Sequence, residues 1–518
     1  MKGISNSMAE QLNQTVTAPK DATKEAVDKS LHFNSDQEEA IKSALSAGYG
    51  ITPDTQPDGG ALKVESLDPE IKNQTWGTND FTIYPQLVGL GVVKANSTVE
   101  KYVTFLKHGR IGHSVFQPEI GIGSVNSPHM KQKTVNLKFL VDVKQQSFAI
   151  QYAATVEDAA RINEEDALVV LGKTIEWATF YGDADLTSGE KGEGLEFDGL
   201  EKLIDDRNKI DLRDGILTPE VLNEAAVLIG KGFGVATDAY MPIGVKADFG
   251  NQFLGAQRVI VPSQDGTTAG VNIDRFLSAR GEIRLNGSTI MDLDNILDDE
   301  YQPNPQAPTA PTLKAQEQTK AGGQFLEDEK DAKGKSKYPA RPVEVGATLH
   351  YKVVAVGHHG DSFPSDDVTA IPSAKDSAIK LTATLSSMQR EIPDYVAFYR
   401  KAIENDDYYL VGRVATRDMN QGDGTITFTD TDARIPNTAD VFVGEMRHNV
   451  ISLLEFIPMS KINLAVVTTA TSFAVLTSVA IALYLPRRFS MIRNVRYNNG
   501  TENHMTGLNV YSSNQLSD

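Results

Sequence analysis

Alternation of apolar and polar positions is the clearest signal along the chain. Val135, Leu137, Phe139, Val141 and Val143 alternate with Asn136, Lys138, Asp142 and Lys144, interrupted only by Leu140, which predicts a half-buried strand. Tyr102 to Leu106 is a weaker strand, and the Gly-rich stretch 107–133 between them makes the pair a long hairpin with a loose tip. Residues 163–182 switch to helical spacing, with Leu168, Leu171, Ile175 and Ala178 on one stripe and Val170, Trp177 and Tyr181 on a second. Asn163 stands where a cap belongs, Glu164 and Glu165 suit the positive end, and Gly182 stops the helix. Apolar on two sides, it is expected between layers. A second helix begins at Thr218 and Pro219, buries Leu222, Ala225, Ala226 and Ile229, and ends at Gly230, Gly232 and Gly234.

The pattern changes after residue 302. Pro303, Pro305, Pro308 and Pro311 mark a boundary, because proline continues neither a ladder nor a helix interior. Beyond a charged run, 318–341, short strands follow one another without helices: Leu349/Tyr351/Val353, Ile379/Leu381/Ala383/Leu385, Val396/Phe398, Tyr408/Leu410 and Ile426/Phe428. Such spacing predicts a small β-sandwich, and Tyr351-Lys-Val-Val-Ala-Val-Gly with Ser365 beyond it resembles fibronectin type III or immunoglobulin-like modules. Near residue 437 the chain returns to the first unit with Val441–Val443 and the apolar strands up to Tyr497.

At the other end, residues 1–45 are polar and close on a short amphipathic helix, where Ser35 and Glu38 suit a capping pair and Ile41, Ala44 and Leu45 line one side. Residues 48–86 are rich in Gly, Pro and Asp with scattered anchors at Leu67, Ile71, Trp76 and Phe81, the pattern of an extended arm laid over something else.

Composition narrows the function. A chain of 518 residues, 40% apolar, is expected to hold two or three folding units. Its formal net charge of −19 argues against a dedicated nucleic-acid binder, because phosphate neutralisation needs clustered Lys and Arg. The absence of cysteine excludes disulfides, thiolate nucleophiles and zinc-thiolate or iron–sulfur sites. The N-terminus carries no secretory signal pattern, so synthesis and retention in a cytoplasm are expected. Ile462 to Leu485 is uncharged and about the 20 residues a membrane helix needs, yet its many Thr, Ser and β-branched residues favour buried strands with a turn.

Candidate chemistry is sparse. Gly230-Lys-Gly-Phe-Gly follows a helix and lacks the Gly-Lys-Ser/Thr ending of a phosphate loop, so a helix stop is the reading. Asp292-x-Asp294 opens like a calcium loop, but Ile296 occupies a ligand position and the required glycine is missing. The nine histidines show no ligand spacing, and His358–His359 is expected in solvent at a turn. No Gly-x-Ser-x-Gly elbow occurs. The expectation is therefore a protein that is not an enzyme, with no catalytic, cofactor or metal residues.

Several ordered segments carry a resemblance: Gly48-Tyr-Gly-Ile-Thr-Pro-Asp-Thr-Gln, His108-Gly-x-x-Gly-His-Ser, Thr174-Ile-Glu-Trp-Ala-x-Phe-Tyr-Gly-Asp-Ala, Gly192-Glu-Gly-Leu-Glu-Phe-Asp-Gly-Leu, Asp238-Ala-Tyr-Met-Pro-Ile-Gly-Val and Ala439-Asp-Val-Phe-Val-Gly-Glu-Met. Together they resemble the major capsid proteins of large contractile-tailed phages that infect Gram-positive bacteria. The resemblance implies an α+β fold of the Hong Kong 97 type, with N-arm, extended hairpin loop, peripheral domain on a spine helix, and axial domain. It also implies a homo-oligomer of hexamers and pentamers that forms an icosahedral virion shell, assembled in the host cytoplasm. Expected partners are a scaffold protein, a maturation protease, a portal and a decoration protein, with no membrane.

The resulting map places an N-terminal assembly segment at 1–45, the N-arm at 46–98 and the hairpin loop at 99–145. The first part of the peripheral and axial domains spans 146–302, the inserted immunoglobulin-like domain with its proline-rich linker 303–437, and the return to the core 438–518. By position, the maturation cut that the resemblance implies falls at Leu45–Ser46. The alternative is a host-attachment surface protein whose sandwich binds glycans.

Overall fold

The architecture comes from a computed structural model that describes residues 81–107, 116, 119–121, 127–147, 159–186, 194–253, 260–263, 266–269, 273–293, 296–297, 303–330, 334, 342–401, 407–420, 423–465 and 470–496. All of them lie in one compact unit, Asn73–Asp518.

Two sheets and the helices against them make the core. β1 (Val93–Lys94), β20 (Ile451–Asn463), β21 (Ala470–Leu483) and β4 (Lys138–Ser147) are neighbours in that order in a four-stranded sheet. β5 (Lys209–Ile216), β22 (Phe489–Arg496), β19 (Thr438–Gly444), β6 (Asp238–Pro242), β10 (Gly281–Ser288) and β9 (Arg275–Ser278) form a six-stranded sheet that mixes parallel and antiparallel pairs. The helices are α1 (Ile83–Leu90), α2 (Ala159–Tyr181), α3 (Leu200–Leu203), α4 (Pro219–Lys231), α5 (Ile243–Asn251) and α6 (Ile290–Leu293). β2 (Val99–Lys107) pairs with β3 (His129–Asn136), and β7 (Ile260–Ser263) with β8 (Gly266–Ala269).

The helix α2 joins the two sheets. Its N-terminal half buries Ala167 and Leu171 against Phe473 and Val475 of β21. Its C-terminal half buries Ile175, Ala178, Phe180 and Tyr181 among Phe442, Ile451, Leu453 and Phe489. The helix starts at Ala159, a turn earlier than Asn163, because Ala159, Ala160 and Arg161 are good helix formers and Arg161 meets Glu165 one turn on. Leu168 and Val170, expected on its buried stripes, are exposed.

The helix α4 follows the sequence closely, with Pro219 at its first turn and Leu222, Ala225, Ala226 and Ile229 buried against Val441, Val443 and Ile492. Each larger side chain of that row contributes about 1.5–3 kcal/mol by burial. At its end the left-handed residue is Phe233, φ 63°, while Gly232 is needed because a Cβ there would lie 2.3 Å from the Arg487 carbonyl.

Between β10 and β19 the chain builds a separate pair of sheets. β11 (Thr312–Gln318), β15 (Ala378–Thr384) and β18 (Thr425–Asp430) form one. The other orders β13 (Gly360–Asp361), β12 (Leu349–Gly357), β16 (Tyr395–Lys401) and β17 (Tyr408–Ala415), with β14 (Val368–Ala370) also on β12. Leu313, Tyr351, Val353, Leu381, Phe398 and Ile426 share one core between the two sheets, so the unit is a sandwich. All five strand groups expected there are present; β11 was missed because its Lys314, Gln316 and Glu317 made it look like linker.

Three expectations are corrected. The hairpin pairs β2 with β3, while the alternating segment breaks at buried Leu137 and continues as β4, whose partner is β21. Residues 83–90, read as extended arm up to residue 86, are helical. His359 is not simply solvated: its Nδ1 lies 3.1 Å from Glu391. The uncharged stretch 462–485 supplies the end of β20 and all of β21, and among the described residues no helix is long and apolar enough to cross a membrane.

Candidate assembly surfaces

Strand β4 has two unlike faces. Toward α2 it presents Leu140, Asp142 and Lys144, with Lys144 Nζ 2.6 Å from Asp166 and 3.2 Å from Asp142. Away from α2 it presents Phe139, Val141 and Val143, which stay 55%, 56% and 54% exposed. Register extends this outer row sideways, since Val141 lies opposite Leu476, and Leu476 opposite Ser460. Ile462, on the same outer side, is also exposed. The alternation predicted a strand with one buried face, but the face turned to the helix is the more polar one.

The β2–β3 hairpin repeats the arrangement. Tyr102 and Thr104 face the core: the Tyr102 hydroxyl donates to the Leu483 carbonyl at 3.2 Å, and its ring meets Tyr484 edge-on at 4.9 Å. Burial, with Tyr484 beside it, pushes the Tyr102 hydroxyl up to about 12. Outward stand Val99, Val103, Phe105 and Met130, all exposed, with Phe105 directly opposite Met130. Rows of large apolar side chains held in water on rigid strands mark contact surfaces.

The start of the described chain is anchored to α2. Glu176, fully buried, accepts from Thr82 N at 2.8 Å, Thr82 Oγ1 at 2.7 Å and Ile83 N at 3.4 Å. It thereby satisfies N–H groups that α1 leaves without helical partners. Burial nonetheless holds its carboxyl above the ordinary range, with the Thr82, Tyr84 and Ile83 bonds pulling the other way. Sequence reading missed Glu176: one acidic residue in an apolar helix carries no signal of which amides it will meet. Leu45 and Ser46, the expected cleavage position, lie outside the described residues, as do the amphipathic helix ending at Leu45 and the arm up to residue 80.

A cavity of about 500 Å³ is charged rather than apolar, lined by Lys202, Arg413, Arg434 and Arg493 together with Glu201 and Asp440. Arg493 donates to Glu201 at 2.8 Å and Arg434 to Asp440 at 2.9 Å. Burial works against the charge of Lys202, but its bonds to Asp183, Asp185 and Asp198 hold it well above the usual lysine range. Among the described residues no group of three His, Asp or Glu side chains could hold a metal ion.

Exposed apolar rows on strands, beside a cavity of paired charges, are features of a subunit that works through its surfaces. The chain is 46% identical over 462 residues to the major capsid protein of Staphylococcus phage S25-3, covering 89% of this chain and 96% of that one, and equally so to the major capsid protein of Staphylococcus phage K. It belongs to this family of phage major capsid proteins, structural components of the virion's capsid shell. No family model matches the chain. Among solved structures, the capsid of the cyanophage P-SCSP1u is similar at 7% identity and a TM-score of 0.40, over 88% of this chain and 98% of that one, a likeness too slight to bear on the fold. The relatives give no support to a host-attachment protein.

Proposed function

We propose that this chain assembles with copies of itself, as hexamers and pentamers, into the icosahedral head that encloses phage DNA. The observation that carries the reading is the 46% identity to major capsid proteins over 89% of the chain. The exposed rows on β4 and on the hairpin support it, each being a face for a second copy of the same chain. In this reading the fold is of the Hong Kong 97 type. Residues 46–98 are the N-arm, 99–145 the hairpin loop with β2 and β3, and α2 the spine helix. Residues 146–302 and 438–518 make the peripheral and axial domains, and 303–437 an immunoglobulin-like insertion on the outer surface.

Residues 1–45 assist assembly and are removed by a phage protease at Leu45–Ser46. Scaffold protein, portal and a decoration protein are the other partners, and the chain catalyses nothing. The formal charge of −19 is consistent with a shell that touches DNA only non-specifically.

The test is electron microscopy of the protein expressed alone and together with its neighbouring scaffold and protease genes, with N-terminal sequencing of the assembled material. Shells, tubes or capsomers are expected, with a new N-terminus at residue 46 when the protease is present. Dispersed monomers under both conditions would overturn the reading.

A further inference from the structure

The sandwich and the core meet across a polar seam. Every apolar cluster described is confined to one side: three use core residues alone, and the cluster of the sandwich uses none of them. The joint is made of guanidinium groups that reach across in both directions and of one short backbone pairing, where Ile296 bridges Tyr409 and Leu297 N donates to the Tyr408 carbonyl at 2.8 Å.

From the core, Arg213 of β5 donates through Nη1 to the Asp432 carbonyl at 2.5 Å and through Nη2 to Asp432 Oδ2 at 2.8 Å, and also to the Gln324 carbonyl. From the sandwich, Arg413 donates to the Tyr181 carbonyl at 2.8 Å, with its guanidinium 5.3 Å from the Trp177 ring, and Arg417 lies 3.8 Å from Asp185. Asn494 of β22 holds the segment between β18 and β19 by accepting from Ile435 N at 3.0 Å and donating to the Ala433 carbonyl at 3.2 Å. The charged cavity of about 500 Å³ lies in this seam.

The backbone is shaped for the same contacts. Arg213, Asp214, Asp432, Asn437 and Asn494 all have φ between 51° and 61°, five of the seven left-handed non-glycine residues described. Asn and Asp tolerate that conformation through local hydrogen bonds, but an arginine gains nothing from it by itself. Opposite Asn494, β5 bulges so that its pairing jumps from Asp211 to Gly215, and the bulge carries Arg213 toward Asp432. Sparsely populated backbone persists where surrounding contacts hold it in place. Here the contacts come from both sides: Asp211 Oδ1 of the core accepts from Arg213 N at 3.0 Å and from Asn494 Nδ2 at 2.7 Å, while Asp432 and Gln324 of the sandwich accept from the Arg213 guanidinium.

We propose that the sandwich is a separable module clamped to the core by Arg213 and Arg413, and that it swings free as a folded unit when those two grips are removed. This does not depend on the capsid reading. A joint without a shared apolar core keeps its geometry by directional hydrogen bonds, so losing them frees the orientation while each hydrophobic core remains intact.

The chain has no cysteine, so Glu224→Cys on exposed α4 and Thr427→Cys on exposed β18 give a clean pair for nitroxide labels in the full-length protein. Pulsed electron paramagnetic resonance should give one narrow distance distribution with the native seam. It should be markedly broader with Arg213→Ala and Arg413→Ala combined, and intermediate with Arg213→Lys, which keeps the charge but loses the two-pronged grip. Hydrogen exchange at Val353 and Val396 in the sandwich and at Val441 and Ile492 in the core should stay as slow as in the parent. A distribution as narrow as the parent's in the double variant would overturn the clamp. Loss of protection in either core would overturn separability.

Discussion

Strands β15 and β4 have the same alternating character, and the molecule treats them in opposite ways. β15 turns Ile379, Leu381 and Ala383 inward to a facing sheet that closes over them. β4 turns Phe139, Val141 and Val143 outward, while α2 covers the side that holds Asp142 and Lys144. The sandwich brings its own lid within one chain. Among the described residues, α2 covers one side of the four-stranded sheet, and the apolar row of β4 on the other side stays exposed. A face covered within one copy and a face left exposed thus share one strand pattern, and what differs, among the described residues, is whether a second layer covers the apolar side.

The comparison breaks most severely at Arg400, the fully buried centre of the sandwich. It lies 2.7 Å from Asp430, 2.8 Å from Glu344 and 2.5 Å from Asp432, while the Tyr351 hydroxyl donates to Asp430 at 2.9 Å. Arg400→Ala leaves three carboxylates without their shared cation, and the expected loss is about 3–5 kcal/mol in chemical denaturation of the sandwich. A loss under about 1 kcal/mol would mean that the cluster is far wetter than its burial implies.

In the core, Glu176→Ala strips the acceptor from the amides at the start of α1. The expected cost is about 1–3 kcal/mol, with hydrogen exchange at Thr82 and Ile83 faster than in the parent. Unchanged exchange at those amides would show that α1 does not need the carboxylate.

The outer row responds in the reverse sense. Val141→Ser is expected to change the stability of the unassembled subunit by no more than about 0.5 kcal/mol, because the side chain is already in water. The same substitution should sharply reduce assembled material in sedimentation. Normal assembly would remove β4 from the contact surface.

The smallest effect concerns pH. Glu317, bonded by Ser373 Oγ and N and by Ser377 Oγ, has its carboxyl held below the ordinary glutamate value of 4.5. Its folded pKa is depressed, so its contribution is present above that value and fades as pH falls through the folded pKa. Denaturation of Glu317→Gln against the parent between neutral and acid pH should show the gap between them closing in acid. A gap that stays constant would assign the difference to shape rather than charge.

Much of the architecture was legible from the strands and helices themselves. α4 began at Pro219 because proline fits a first turn, and every strand group named for the sandwich formed. The errors share one cause. Asn163 resembles a cap, but Ala159-Ala160-Arg161 carried the helix past it, and nothing local distinguishes a cap from a tolerated asparagine. β4 was joined to the wrong partner because alternation gives a strand's faces and not its neighbour, which here comes from some 330 residues later in the chain. Leu168 and Val170 have core chemistry and lie exposed, while their neighbours Ala167 and Leu171 take the contact with Phe473 and Val475.

The sequence by itself determined most element types, the run of short strands between residues 349 and 428, the absence of thiol chemistry and the membership that the ordered motifs announced. Those follow from local spacing and residue type. Only the tertiary structure decided that the apolar row of β4 faces outward, that Glu176 holds α1, that one arginine serves three carboxylates and that guanidinium groups join sandwich to core. Each of those joins residues far apart in the chain, and long-range partners are chosen by packing of whole layers, which no local pattern encodes.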